Sequence, residues 1–254
     1  MRTVIITGAG SGIGRATAVA MAGQPDVRLI LIGRREEELN HTRRELLRSG
    51  DHIVCAFDIR KKEEWRRTLK QIDADTLNIS GVFANAGIGG ENHYGDDDRW
   101  SEIISTNLDG TYISVMECLP YLKKSQQDFR HIVITSSCLA RFGVPRYTAY
   151  CTAKAGLLGL TKSLAVELAA DNILVNAICP GWVETEMAKA GIQFLADASG
   201  TSYEVEFRQQ MSYVPLQKMS QPSEIGELVK FLMSNVQTSI TGQSMDINNG
   251  SFMI

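Results

Sequence analysis

The chain has 254 residues, 44% hydrophobic and 22% charged, and its 29 acidic against 26 basic side chains leave a net charge of −3. This is ordinary globular usage with enough chain for one large core, and it offers no electrostatic case for nucleic acid or an anionic membrane as partner. No apolar run reaches membrane-span length, Cys55, Cys118, Cys138, Cys151 and Cys179 form no Cys-x-x-Cys, and His41, His52, His93 and His131 stand isolated. The expectations are therefore a cytoplasmic protein with reduced thiols, no metal site, and histidines at surface or loop positions.

Residues 3–6 form a short β-branched run, the signal of a buried strand, so the first eight residues are expected to belong to the fold rather than to a signal peptide. Thr7-Gly8-Ala9-Gly10-Ser11-Gly12-Ile13-Gly14 follows, then an Ala-rich helix former. Strand, glycine loop and helix together make a phosphate site. Glycine permits the tight turn and close backbone approach, and the helix start offers unpaired N–H groups. Gly8, Ser11, Gly12, Ile13 and Gly14 are the candidate contacts there, although the spacing is not Gly-x-Gly-x-x-Gly in its usual register.

Residues 27–32 read as a second buried strand ending at Gly33-Arg34-Arg35. An acidic residue at such a strand end accepts from a free ribose 2′-hydroxyl, whereas an Arg suits a 2′-phosphate. Gly33 leaves the acidic slot empty with Arg34 beside it, which favours NADP over NAD, and Arg15 is a candidate second phosphate partner. Residues 36–45 then read as a solvated helix laced by i, i+4 charge pairs.

A third strand over 53–58 ends at Asp58, which has two readings: acceptor for an adenine amino group, or cap of the next helix at 61–72. A fourth strand runs from 81 into Ala84-Asn85-Ala86-Gly87, small residues that let a turn approach a cofactor. Residues 88–98 read as a loop whose Asp96-Asp97-Asp98 serves as turn and cap. Residues 99–122 read as one long helix broken only by Pro120, with Asn107 and Gly110 as poor interior helix residues that call for a kink, a water site or close packing.

The stretch 137–154 carries the chemistry. It leaves an apolar run at 132–135, crosses a loop holding Gly143 and Pro145, and enters a helix near Tyr147. Tyr150 and Lys154, spaced i, i+4, share a helix face, and Ser137 arrives from a strand end. A phenol near a cation becomes a usable proton donor or acceptor near neutral pH. Tyr-x-x-x-Lys alone is common, and by itself it also fits an ordinary helix with a surface Lys. A strand at 171–179 ends at Pro180-Gly181, residues 184–213 read as a polar, irregular substrate lid, and a helix at 222–233 precedes a last strand at 244–247. Strands alternating with helices in this way imply an α/β fold: one domain over 1–254, a doubly wound, seven-stranded parallel sheet with helices on both faces.

These residues resemble the short-chain dehydrogenase/reductase family over nearly the whole chain. Thr7-Gly8-x-x-x-Gly12-x-Gly14 looks like its cofactor loop, Ala84-Asn85-Ala86-Gly87 like its Asn-Asn-Ala-Gly turn, and Pro180-Gly181-x-x-x-Thr185 like its nicotinamide-side turn. Asn107, Ser137, Tyr150 and Lys154 match its catalytic tetrad in order and spacing. Ala84 and Asn249 depart from the usual Asn and Gly at their positions. The resemblance implies a Rossmann fold and NAD(P)-dependent hydride transfer between nicotinamide and a carbonyl or secondary alcohol, with a weaker likeness to 3-oxoacyl thioester and polyketide reductases.

In the implied mechanism Tyr150 protonates the carbonyl oxygen and Ser137 hydrogen-bonds it. Lys154 lowers the Tyr150 pKa and holds the nicotinamide ribose, and Asn107 holds a water connecting Lys154 to solvent. Gly8, Gly12, Gly14, Asp58, Asn85, Ala86, Gly87, Pro180, Gly181, Val183 and Thr185 are the implied cofactor contacts, and similar enzymes are commonly homotetramers or homodimers. Two alternatives stay open: an NAD-dependent alcohol dehydrogenase working oxidatively, and a non-catalytic nucleotide-binding regulatory protein. The substrate pocket is expected at Cys138, Ala140, Arg141, Phe142, Tyr147, Trp182 and Met187, with Arg141 meeting an anionic substrate group or a neighbouring subunit.

Overall fold

A computed structural model describes residues 1–253. The β-branched runs become seven parallel strands: β1 (Arg2–Thr7), β2 (Val27–Gly33), β3 (Ile53–Ala56), β4 (Ile79–Ala84), β5 (Arg130–Thr135), β6 (Ile173–Pro180) and β7 (Ser244–Ile247). Their order is β3-β2-β1-β4-β5-β6-β7 in one sheet. Strand alternation sends Ile5 to one face and Val4 and Ile6 to the other, so each face gains its own apolar core.

Helices α3 (Lys62–Gln71), α5 (Gly110–Lys124) and α6 (Thr148–Leu168) cover the first face through Trp65, Val115, Leu157 and Leu164. The second face is covered by α1 (Gly12–Ala22), α2 (Glu36–Glu45) and α9 (Pro222–Leu232) through Met21, Leu39, Ile225 and Val229. Each such side chain, fully buried, contributes roughly 1.5–3 kcal/mol. The chain leaves β1 for β2 on one side and returns to β4 on the other, which opens a crevice at the carboxyl ends of β1 and β4.

Three expectations change. Residues 99–122 are not one plain helix. A short α4 (Trp100–Ile104) passes through a π-helical turn (Ser105–Asp109) into α5, and Pro120 lies inside α5 without breaking it. The irregular reading of 184–213 gives way to two helices, α7 (Glu186–Ser199) and α8 (Tyr203–Ser212). Thr185 Oγ1 caps α7 by accepting from Ala188 N at 3.3 Å, Gly200 ends it at φ 67°, and Ser202 Oγ caps α8 by accepting from Val205 N at 3.4 Å. Ala188, Ile192, Met211 and Val214 give the pair a small core of its own. His52, in the irregular link before β3, and His131, within β5, are 3% and 1% exposed, so neither lies at the surface and of the two only His52 keeps a loop position. Backbone N–H of Leu29 donates to His52 Nδ1 at 3.1 Å, and burial pushes His131 down to about 4.

Candidate active site

The glycine loop begins where β1 runs out. Gly8 has φ 68° and Gly12 φ 50°, left-handed values that glycine adopts without strain. A Cβ on Gly14 would strike the Gly8 carbonyl and lie 2.8 Å from Asn85 Nδ2. The first turn of α1 carries no acidic residue, and Ser11 makes no side-chain cap there. Its N–H groups remain donors for an anion, so loop and helix start fit a dinucleotide phosphate.

The adjoining cleft is lined by Gly8, Ser11, Arg34, Asp58, Ala86 and Gly87 from the sequence reading, and also by Glu38, Arg60 and Thr106, which that reading missed. Two expectations there are corrected. Arg15 is not a spare phosphate partner, because its guanidinium pairs with Glu38 at 2.8 Å and donates to the Gly10 carbonyl and to Thr42. Asp58 does not cap α3. Its carboxylate is gripped by Arg60 at 2.6–3.0 Å, which holds it below the usual carboxylate range. Asp-x-Arg at a strand end is the sequence signal for that pair. Arg34 faces Asp58 across the cleft and has no ion pair among the described residues.

Asn85 joins three strand ends. Backbone N–H of Asn85 and of Ala86 donate to Thr7 Oγ1 at 2.9 and 3.0 Å. The Asn85 amide donates to Thr7 O at 3.2 Å and accepts from Thr135 Oγ1 at 3.1 Å. Its side chain is thus engaged with protein, and Ala86 and Gly87 form the cleft wall. Beyond β6, a Cβ on Gly181 would meet Asn248, and the Thr185 methyl lies 3.0 Å from where a Gly12 Cβ would sit. Residues 180–185 therefore flank the glycine loop from the other side.

The four tetrad positions gather at the same sheet edge. Asn107 sits in the π-helical turn, fully buried, where Ile88 N donates to its Oδ1 at 2.8 Å and its Nδ2 donates to Ile88 O at 2.9 Å. A Cβ on Gly87 would lie 2.9 Å from Asn107 Oδ1 and 3.7 Å from Lys154 Nζ. Lys154 is 4% exposed and donates to the Thr135 carbonyl at 2.8 Å, with its Nζ 5.6 Å from the Tyr150 ring centroid. Ser137 reaches the phenol of Tyr150 from the turn after β5. Tyr150 itself stays partly accessible.

Burial sets both titrations. It pushes Tyr150 up to about 12, with the Ser137 hydrogen bond pulling the other way. It pushes Lys154 down to about 8. The phenol is thus held in its acid form near neutral pH, and Lys154 does not by itself bring it down, because its ammonium is turned toward Thr135.

On the expected substrate side, Tyr147 meets Tyr150 edge-on with centroids 6.3 Å apart, and Met187 of α7 abuts Gly89. Phe142 stacks on Phe252 at 5.9 Å. Arg141 has an intramolecular role. It donates to Ser244 O and Asp246 Oδ2 at 3.2 and 3.3 Å, joining the turn after β5 to β7. Among the described residues no cluster of three or more His, Cys, Asp or Glu could hold a metal, and no helix is long and apolar enough to cross a membrane.

Comparison with known proteins gives a consistent likeness. Residues 2–194 match the family model described as short chain dehydrogenase. A putative ketoacyl reductase of Streptomyces coelicolor is 31% identical over 251 residues, which cover 97% of this chain and 95% of that one. The 3-oxoacyl-(acyl-carrier-protein) reductase FabG of Staphylococcus aureus is 28% identical, covering 99% of this chain and 98% of its own. Among solved structures, a variant of actinorhodin polyketide ketoreductase with NADPH superposes with a TM-score of 0.91 at 30% identity, over 98% of this chain and 97% of that one.

Proposed function

This chain belongs to the short chain dehydrogenase family, and from that premise we propose that it reduces a ketone, with 3-oxoacyl thioesters as the leading substrate class and NADPH as the preferred cofactor. The observation that carries the reading is the convergence of Ser137, Tyr150 and Lys154 beside the glycine cradle at one edge of the sheet. The relatives' names point to 3-oxoacyl and polyketide ketones.

The bound cofactor supplies the hydride. Gly8, Ser11, Gly12, Ile13 and Gly14 would hold its pyrophosphate, Arg34 would meet a 2′-phosphate, and Asp58 would face the adenine. Asn85, Ala86, Gly87, Pro180, Gly181, Val183 and Thr185 frame the nicotinamide half, and Asn85 acts through the strand ends it joins. Tyr150 donates its proton to the carbonyl oxygen. Ser137 donates to the same oxygen as charge develops there. Lys154 binds the nicotinamide ribose, and the backbone of the π-helical turn at Asn107 holds the water that returns a proton to Lys154.

The chain works as one dinucleotide-binding unit, with α7 and α8 as substrate lid. It assembles as a homotetramer or homodimer through α4, α5 and α6. In support, the outer face of α6 exposes the small or uncharged Thr152, Ala155, Gly156, Gly159, Ser163 and Val166, with charges only at Lys162 and Glu167 near its C-terminal end. We place it in the cytoplasm, a setting supported by five cysteines left as free thiols. The deciding experiment is Tyr150→Phe, read by NADPH turnover on a 3-oxoacyl thioester and by NADPH binding. Binding should persist while turnover falls by roughly 10³-fold or more, and equal turnover rejects the assignment.

A further inference from the structure

The helix that presents Tyr150 and Lys154 lacks a cap of its own. At the N-terminus of α6, Tyr147 has φ −109° and ψ 27° and makes no side-chain cap hydrogen bond. The first-turn donors are met from far away in sequence. Asn92, 5% exposed, accepts at Oδ1 from Ala149 N at 2.9 Å and from Thr148 Oγ1 at 3.1 Å. Its Nδ2 donates to Asp98 Oδ1 at 3.2 Å, the same oxygen that accepts from Trp100 N. That carboxylate fixes which way the amide points, so the amide oxygen must face the helix. Asn92 N donates to Arg146 O at 2.7 Å, and Glu91 pairs with the Arg146 guanidinium at 2.8 Å. Arg146 is held there at φ 67°, a left-handed value uncommon for a long side chain.

The other end of this segment is equally fixed, since Ile88 makes both of its backbone hydrogen bonds to the Asn107 side chain. Residues 88–92 therefore form a strap from Asn107 to the first turn of α6, and Tyr150 follows directly on the capped Ala149. Resting on the reading of Tyr150 as the proton donor, we propose that Asn92 is a positioning residue of the reaction: it caps the catalytic helix across the fold and sets the place of the Tyr150 hydroxyl against Ser137 and Lys154. A proton donor displaced by about 1 Å loses much of its rate, and a frayed first turn displaces it by that order.

The test compares Asn92→Ala, Thr148→Val, the exchange N92D/D98N, Asn78→Ala and Tyr150→Phe, with NADPH and a short 3-oxoacyl thioester. The exchange keeps an acceptor at 92 for Ala149 N, and the amide at 98 turns so that its N–H donates to the new carboxylate while its oxygen accepts from Trp100 N. Asn78 is the control, because it also accepts from a hydroxyl and a backbone N–H, at 2.7 and 3.1 Å, but away from the site. Asn92→Ala should lower kcat roughly 10- to 100-fold and leave the NADPH KM within about threefold. It should also raise by about half a unit or more the apparent pKa of the reverse, alcohol-oxidising reaction. The groups facing the phenol, Lys154, Ser137, Cys138, Tyr147 and Cys151, are all retained in that variant. N92D/D98N should restore kcat to within about threefold, and Asn78→Ala should keep kcat at whatever stability it loses.

A kcat for Asn92→Ala within about twofold of the parent overturns the proposal. So does a loss with the pH profile unmoved, a loss matched by Asn78→Ala, or an exchange that fails to restore. If Asn92→Ala does not fold, Thr148→Val decides by the same readouts, at roughly three- to tenfold in kcat. Full activity in Tyr150→Phe rejects the underlying reading and the proposal with it, whereas unimpaired Asn92→Ala beside inactive Tyr150→Phe rejects the strap alone.

Discussion

Lys154 should be a residue that weakens the fold it serves. Its ammonium lies out of water with the Thr135 carbonyl as its hydrogen-bond acceptor, and burial lowers its pKa from 10.5 to about 8. A basic group whose folded pKa is depressed opposes folding wherever the unfolded chain holds the proton more tightly. The penalty is therefore full below pH 8 and fades as pH rises toward 10.5. The shift of about two and a half units corresponds to roughly 3 kcal/mol at pH 7. Lys154→Met keeps the buried stem and removes the charge, so it should stabilise the protein at pH 7 by about 2–3 kcal/mol after loss of one hydrogen bond. For a domain of this size that is roughly 4–12 °C in Tm. Denaturant titration of parent and variant at pH 7 and pH 10 is the assay, with the same variant inactive in NADPH turnover. The stability gap should shrink as pH rises. A variant no more stable than the parent at pH 7, or a gap unchanged between the two pH values, would refute the buried-ammonium argument.

Arg34→Asp should raise the NADPH KM by roughly 10-fold or more and narrow the gap to NADH, since it removes the cation free to meet a 2′-phosphate; an unchanged ratio of the two cofactors denies Arg34 that role. Gly14→Ala drives a methyl group into the Gly8 carbonyl and should weaken NADPH binding, followed by fluorescence titration, by at least about tenfold while circular dichroism stays native. Because burial holds the Tyr150 phenol high, kcat for alcohol oxidation should climb with pH across about 8–10 as the phenolate fraction grows. A profile already flat by about pH 7 would mean that the loaded site brings the phenol far lower.

The parts of the molecule legible in the sequence are those whose cause is local. The runs at β1 and β2 are β-branched because they are buried on both faces, and a window of six residues contains that whole reason. The glycine loop is legible because its strained φ values admit few other residues. Asn249 is a smaller case: it holds φ 56°, a left-handed value that Asn tolerates, and its amide donates to Lys218 O and Ser220 Oγ at 3.0 Å. Helices α7 and α8 were hidden for the opposite reason. Ala188, Ile192 and Ala196 do repeat at helical spacing in α7, but two of the three are alanines and Gly191 lies among them, so the informative residues were the caps Thr185, Gly200 and Ser202, which also read as loop. Arg15, Arg141 and Asn92 escaped because their partners, Glu38, Asp246 and Ala149, lie 23, 105 and 57 positions away.

Asn85 shows why a correctly located residue can still act by an unforeseen route. Its place in the Ala84-Asn85-Ala86-Gly87 turn suggested direct contact with a cofactor, yet both polar atoms of its side chain are engaged with Thr7 and Thr135. Thr7 leads into the glycine loop, and the Thr135 carbonyl accepts from Lys154. Three hydrogen bonds therefore run unbroken from the glycine loop to Lys154, through one half-buried amide at the point where β1, β4 and β5 end. Each such bond contributes about 1 kcal/mol, so the three strand ends resist shifting independently of one another. The distance from the glycine loop to Lys154 is then a property of the sheet, fixed before any ligand arrives. That arrangement suits the proposed reaction, in which a nucleotide at one strand end would meet a proton donor at another, and the proposed lid, α7 and α8, packs on a small core of its own, apart from the two cores of the sheet.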